Sequence, residues 1–476
     1  LYQNSFINIL FFQNMKKTIL FLTFAFSFAN LDSQQSEIWA WGYNSFAQLG
    51  TGDTLNRNSP ILIGVTSDWK DITVGDQHSI ATKSDGSFWA WGTNGAGQLG
   101  DSSNGATLKK LLPSKIGTSN NWKSISAGNG YHNIAIKNDG TLWAWGSNDA
   151  GQLGDGTKLK RNIPNQIGAS ADWKIISAGN SHSMAIKNDG TLWGWGFNGF
   201  GGLGDGSGID RNIPNQIGAS TDWKTVSAGY SQTVAIKNDG SLWAWGSNGA
   251  GQLGDGTIVY KLSPIRIGNE TNWKILASGG QHTVALKHDG TLWTWGYNAS
   301  GQLGDGTNTT KLFPAQIGFD TNWKEVSAGS THTLALKNDG TLWTWGSNVS
   351  GQLGNGDSTN TNLNVPTKIG NSKDWQKISA GFSHTIAIKG TVTSVESDLN
   401  NQLKFTEISN SEITIDLIES NQAILSLFDI TGKKIINDIN IESNQYKFKI
   451  NSLSIGAYIL VVNINNRNYT YKFIKE

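Results

Sequence analysis

Cysteine is absent from this 476-residue chain, which excludes disulfides, thiolate metal sites and a cysteine nucleophile. A charge excess of either sign is missing as well. The 37 basic and 36 acidic residues leave a net charge of +1, so no global field draws the chain to nucleic acid or to an anionic membrane. No Gly-x-Ser-x-Gly elbow, phosphate-binding glycine loop or His-Glu-x-x-His motif occurs. Long apolar runs are scarce. The run Thr18 to Phe28 follows Met15-Lys16-Lys17 and ends in Ser27-Phe28-Ala29, an order of charged, apolar and small residues that reads as a secretory signal peptide over 15–29. Joining Ile7 to Phe12 onto it would make a membrane anchor, but Gln13, Asn14, Lys16 and Lys17 interrupt the run, and a span needs about 20 mostly apolar residues. Residues 1–14 open with Leu1 and are expected to be translated sequence upstream of the true start. No stable membrane span is expected in the mature protein.

What is present is a repeat. The closing tryptophan of a Trp-x-Trp-Gly core falls at Trp41, Trp91, Trp145, Trp195, Trp245, Trp295 and Trp345, and a period near 50 residues points to a propeller or a solenoid. A second module, Asp-Trp-Lys-x-x-Ser-Ala-Gly-x-x-His-x-x-Ala-Ile-Lys, keeps the same beat, with its tryptophan at Trp69, Trp122, Trp173, Trp223, Trp273, Trp323 and Trp375. Asn-Asp-Gly between two apolar runs marks a hairpin, because that turn wants residues that tolerate positive φ. In the strand after it, Thr141, Trp143 and Trp145 share one face and Leu142 and Ala144 the other. In the strand before it, Ile134 and Ile136 oppose Ala135. Large against small suits sheets stacked face to face, as in propeller blades.

The array begins at Ile38-Trp39-Ala40-Trp41 without its preceding strands and ends at His384 to Lys389 without its following ones. The two fragments complement each other, so the expected fold is an all-β, seven-bladed propeller over 36–390 closed by both chain ends, which leaves no open sheet edge. By strand parity, the Gly-x-x-His turns and the Gly-Gln-Leu-Gly loops share one face, and Lys83, Lys137, Lys187, Lys237, Lys287, Lys337 and Lys389 ring the other.

The pattern Ala-Gly-x-x-His-x-x-Ala-Ile-Lys-x-Asp-Gly-x-Leu-Trp-x-Trp-Gly-x-Asn-x-x-Gly-Gln-Leu-Gly resembles the repeats of the regulator of chromosome condensation family. The resemblance implies a seven-bladed propeller. It implies function less well, since that family includes a nuclear guanine-nucleotide exchange factor, a plant ultraviolet photoreceptor and secreted bacterial inhibitors of β-lactamase. The exchange factor uses a protruding insertion; the spacing here leaves room for four extra residues, assigned to Asp101–Lys110. The photoreceptor carries tryptophans in its Gly-x-x-His turns, where this chain has none.

After a polar linker over 391–401, residues 402–476 alternate as strands and are expected to form a small β-sandwich. Leu427-Phe-Asp429-Ile-Thr-Gly432-Lys433, Leu453-Ser-Ile-Gly456-Ala-Tyr458-Ile-Leu460 and Lys472-Phe-Ile-Lys475 resemble the C-terminal sorting domain of the type IX secretion system of Bacteroidota. That resemblance implies the secretion machinery as a partner and a secreted or cell-surface location.

Candidate chemistry is thin. His78, His132, His182, His282, His332 and His384 hold one repeat position, with Gln232 in the remaining, fourth copy; a ring of metal ligands is the sharper reading and a structural hydrogen-bonding role the favoured one. Asp155, Asp205, Asp255 and Asp305 stand one to a loop, too few for calcium, which takes six to eight oxygens. No metal or cofactor is expected, no nucleic-acid partner, and no enzymatic activity. Positions that differ between repeats are the ones the scaffold does not need, and on the turn face these include Tyr43, Phe46, Tyr131, Phe197, Phe200, Tyr230, Tyr297 and Phe382. Aromatic side chains on a rigid platform suit a protein or glycan partner. The alternatives are an inhibitor of an enzyme such as β-lactamase and a glycan-active enzyme.

Overall fold

Asp189 shows why each Asn-Asp-Gly stretch turns. Its Oδ1 accepts from Thr191 N at 2.9 Å and from Thr191 Oγ1 at 2.7 Å, and Thr191 Oγ1 accepts in turn from Trp193 Nε1 at 2.9 Å. The turn is thereby tied to the tryptophan that starts the next strand. The structure, a computed structural model, describes residues 36–64, 68–103, 108–390, 403–408, 412–417, 422–429, 433–449, 453–454, 456–464 and 467–475. The expected upstream segment 1–14, the expected signal peptide over 15–29 and the expected linker over 391–401 lie outside the described residues.

Strands β1 to β28 run from Ser36 to Gly390 and form seven four-stranded antiparallel sheets. In the second of them the order is β7 (Trp122–Ala127), β8 (His132–Lys137), β9 (Leu142–Gly146) and β10 (Arg161–Gln166). The strands equivalent to β7 pack side by side around the centre. The strands equivalent to β10 form the outer edge, and all seven prolines of the chain sit there, one per blade, at Pro60, Pro113, Pro164, Pro214, Pro264, Pro314 and Pro366. Proline offers no ladder donor, so each outer edge is a poor template for another chain.

The last blade is composite. β1 (Ser36–Gly42) inserts between β28 (His384–Gly390) and β2 (Arg57–Ile63), with β27 (Trp375–Ala380) innermost. Seven residue pairs, from Ser36 opposite Gly390 to Gly42 opposite His384, close the ring.

Cores lie between blades. Ile134, Ile136, Leu142 and Ala144 of one blade meet Trp173, Ala178, Ala185 and Trp195 of the next, while Ala135 on the other face joins the preceding cluster with Phe88 and Ala90. The inner tryptophan of every Trp-x-Trp pair is fully buried, and such a side chain contributes roughly 1.5 to 3 kcal/mol by leaving water.

In the C-terminal region, β29 (Leu403–Ile408), β30 (Glu412–Leu417) and β33 (Gln445–Lys449) make one sheet. β31 (Ala423–Asp429), β32 (Lys434–Ile441), β34 (Gly456–Ile464) and β35 (Arg467–Lys475) make the other. Ile413 and Ile415 of the first sheet share a core with Leu425, Leu427, Leu460 and Val462 of the second, which is a β-sandwich. Among the described residues no helix is long and apolar enough to cross a membrane.

Candidate partner-binding face

The histidines are the first residues of the second strand in each blade and are fully buried. Each reaches into the next blade. His78 Nε2 meets Asn133 Oδ1 at 2.8 Å, His132 meets Ser183 Oγ at 3.0 Å, and His384 returns to Ser79 Oγ at 3.2 Å. His182, His282 and His332 meet Thr233, Thr283's counterpart Thr333, and Thr385 at 3.0 to 3.1 Å. Ser183 Oγ has one hydrogen and gives it to Gln152 O at 2.9 Å, so His132 Nε2 is the donor. Gln232 keeps a link by donating to Gly279 O at 2.9 Å. Burial lowers the pKa from 6.5 to about 4 for His78, His182 and His282, and to about 3 for His132, His332 and His384. The six rings are thus spaced one per blade, each bonded to a different neighbour. His288 is exposed at a hairpin turn.

The loops are self-supporting. Asn148 Oδ1 accepts from Leu153 N at 2.9 Å, and its Nδ2 donates to Asp155 Oδ1 at 3.2 Å. Asp155 also accepts from Thr157 Oγ1 at 2.7 Å and pairs with Arg161 at 2.6 Å. Asp205, Asp255 and Asp305 repeat this with Arg211, Lys261 and Lys311 at 2.8, 2.9 and 3.2 Å. Their oxygens are taken by internal donors. Gln152 O, at the loop crest, accepts from Trp195 Nε1 of the next blade at 2.9 Å. Gly154 has φ +77°, and a Cβ there would stand 2.8 Å from that same Nε1, so the loop can seat on the tryptophan only as glycine.

The eight aromatic residues do not form one sheet of exposed rings. Tyr43 and Phe46 meet edge to face at 6.1 Å, as do Phe197 and Phe200; these are two separate loop pairs, in which only Phe200 is exposed. Tyr297, half-buried, occupies the Tyr43 position with Ser300 in place of the second ring. Tyr131, Tyr230 and Phe382 belong to the Gly-x-x-His turns and reach across the ring. From the fourth blade, Tyr230 donates to Ser330 Oγ of the sixth at 3.2 Å and lies nearly parallel to Phe382 of the seventh, with 20° between the planes. Tyr131 OH donates to Asp76 Oδ2 of the neighbouring blade at 2.9 Å. Asp76 and Ser330 belong to this axial group and were not among the residues singled out from the sequence.

The four extra residues assigned to Asp101–Lys110 do not all lie there, and one of them accounts for Tyr131. Of the four extra residues between Trp91 and Trp145, three precede Trp122 and one follows it. The fourth is in the turn Gly128-Asn129-Gly130-Tyr131-His132, one longer than the other six. Tyr131 takes φ 63°, and a Cβ on Gly130 would collide with Asn180 O of the next blade.

The opposite face is less open than a ring of lysines suggests. Each lysine lies over two tryptophans, as Lys187 does over Trp173 and Trp193 at 4.8 and 4.7 Å, and pairs with an acid, as with Asp172 at 3.2 Å. Lys137 is the exception: Asn121 replaces the acid, and no ion pair to Lys137 occurs among the described residues.

Comparison with known proteins agrees with this construction. Residues 130–428 match the model of the RCC1-like domain, and 35–82 and 85–136 match the regulator of chromosome condensation (RCC1) repeat. Residues 409–476 match the secretion system C-terminal sorting domain. The ultraviolet-B receptor UVR8 of Arabidopsis thaliana is 33% identical over 147 residues, 30% of this chain and 33% of the receptor; the chain thus spans about a third of that relative's length. Human WBSCR16 superposes with a TM-score of 0.67 at 19% identity, covering 75% of this chain and 99% of that one. Prp20p of Saccharomyces cerevisiae superposes with a TM-score of 0.67 at 21% identity, covering 77% and 94%. At such identities the superpositions establish the fold. The C-terminal sorting domain directs the chain to the type IX machinery and makes it a secreted or outer-surface protein. With more than half its length matched by the family model and every blade built from the repeat, the chain belongs to the RCC1-like propeller family.

Proposed function

We propose that this protein is a secreted or cell-surface binding scaffold, which holds a protein or glycan partner on the turn face of its propeller. One observation carries the reading: Phe200, Phe382, Tyr131, Tyr230 and Asp76 are placed on that face by turns and loops whose other residues hold the blades together. These positions differ from one repeat to the next. A non-catalytic role is supported by the state of the acid–base groups. The histidines are sealed from solvent, and the loop aspartates Asp155 and Asp205 are held by hydroxyls and guanidinium groups. Type IX export would deliver the face to the outside of the cell.

The test replaces Phe200 and Phe382, the two members with the most open rings at 49% and 42% exposure, by Asp. Partner capture from the surroundings of the cell is expected to fall at least about tenfold, the equivalent of about 1.4 kcal/mol, with the melting temperature unchanged. Retained capture would remove the turn face from the proposal. Loss of a β-lactamase's activity on adding the purified protein would identify the partner as an enzyme and the protein as its inhibitor.

A further inference from the structure

We propose that Asp76, Tyr131, Tyr230 and Phe382 form a recognition site for an ammonium group, the side chain of a lysine presented by a partner protein. The inference rests on the scaffold reading and names what its axial part would recognise. Asp76 is the only charged residue in the seven Gly-x-x-His turns. Its Oδ2 accepts from a neutral phenol, its Oδ1 takes no hydrogen bond among the described residues, and no cation pairs with it there. Five part-buried acids of the propeller, Asp101, Asp155, Asp205, Asp255 and Asp305, each hold an arginine or lysine within 3.2 Å, and Glu325 accepts from the backbone at Ile378 N at 3.2 Å. Burial pushes the Asp76 carboxyl upward, offset in part by the Tyr131 hydrogen bond. Burial, with the Asp76 charge behind it, holds the Tyr131 phenol neutral as a donor. A carboxylate in this position gains from an incoming cation.

Two further rings belong to the same group of axial turns. The Tyr230 and Phe382 rings lie 6.4 Å apart, and Phe382 is open to solvent. The faces of such rings attract cations, most strongly where water is partly excluded. The choice of lysine follows from Asp76 itself. With Oδ2 engaged by Tyr131, one oxygen remains, which suits the point charge of an ammonium and not the bidentate fork of a guanidinium. Tyr131 also bears the mark of a built feature. It is supplied by the one-residue insertion and held at φ 63°, a conformation that a bulky residue keeps only where the surroundings impose it.

The probes are the peptides acetyl-Gly-Lys-Gly-amide, its norleucine and arginine counterparts, and methyl glucoside, titrated calorimetrically into the full chain. The lysine peptide is expected to bind saturably, at least tenfold more tightly than the norleucine peptide, and Asp76→Asn to remove that preference. Tyr131→Phe frees the second carboxylate oxygen and is expected to raise the affinity of the arginine peptide relative to lysine. Circular dichroism melting of both variants guards against misfolding. Equal binding of lysine and norleucine peptides, or full lysine binding by Asp76→Asn, overturns the assignment, and so does binding of the glucoside alone. If Asp76→Asn captures the whole partner as well as the parent does, the scaffold stands and the lysine site falls. If the lysine peptide binds but Phe200→Asp, outside the site, captures partner normally, the site stands and the wider face falls.

Discussion

At the residue scale, the six buried histidines set the response to acid. Their folded pKa values of about 3 to 4 lie below the ordinary 6.5, so below pH 6.5 the unfolded chain binds protons that the folded chain refuses. Their contribution is therefore complete above pH 6.5 and is lost as pH falls from 6.5 toward 4. The unfolding free energy read from urea melts is expected to fall through that window by up to about 1.4 kcal/mol per pH unit for each histidine; a value constant from pH 7 to 4.5 would contradict neutral burial. The blade with Gln232 provides a second expectation. His182→Gln, which reproduces a natural position, should cost less than about 1 kcal/mol, whereas His182→Ala leaves Thr233 without its donor and opens a cavity, at about 2 to 4 kcal/mol. Calorimetric melting of the two variants distinguishes them. The shared repeat position of these histidines was legible in the sequence, as was the one copy that does without the imidazole. The Asp76–Tyr131 contact was not, because its members are 55 positions apart and the insertion that creates it was hidden inside a larger change of spacing.

Among the elements, the hairpin of each blade was legible from Asn-Asp-Gly and from alternation. The outer strands were not. β10 has the burial pattern of a ribbon with water along one side and a proline in the middle, which gives neither alternation nor a continuous apolar run. β29 and β32 in the sandwich, one carrying Leu403 to Ile408 and the other Lys434 to Ile441, are hard to delimit from sequence for a related reason: short polar breaks around them obscure the period. The loops were recognised as turns, but their link to the next blade's tryptophan needs the ring to be closed. Gly154→Ala combines positive φ with that contact and is expected to destabilise by more than about 1 kcal/mol. Gly168→Ala, also at positive φ but with nothing within 4 Å of the added Cβ, should cost less. Equal losses in denaturant melts would show that the tryptophan contact adds nothing to the backbone penalty.

For the whole molecule, closure is the feature that sequence order disclosed best. Complementary half-blades at the two ends are a statement about topology that needs no side-chain detail. Deleting 36–63 removes β1 and β2 and exposes the edge of β28, so the remaining blades are expected to lose their single cooperative transition and to associate, as read by calorimetry and size-exclusion chromatography. Retention of one sharp transition would mean that six blades and a fragment are self-sufficient. Function was legible only as far as the platform, because a repeat reveals what a blade needs and leaves partner chemistry to the few positions where copies differ. The most direct measurement compares partner capture by the parent chain, by the Phe200→Asp and Phe382→Asp double variant on the turn face, and by an Asn188→Lys and Asn338→Lys control at exposed hairpin turns on the opposite face. Capture lost in the first variant and kept in the control is the outcome expected of a turn-face scaffold; capture kept in the first and lost in the control would place the partner on the other side of the ring.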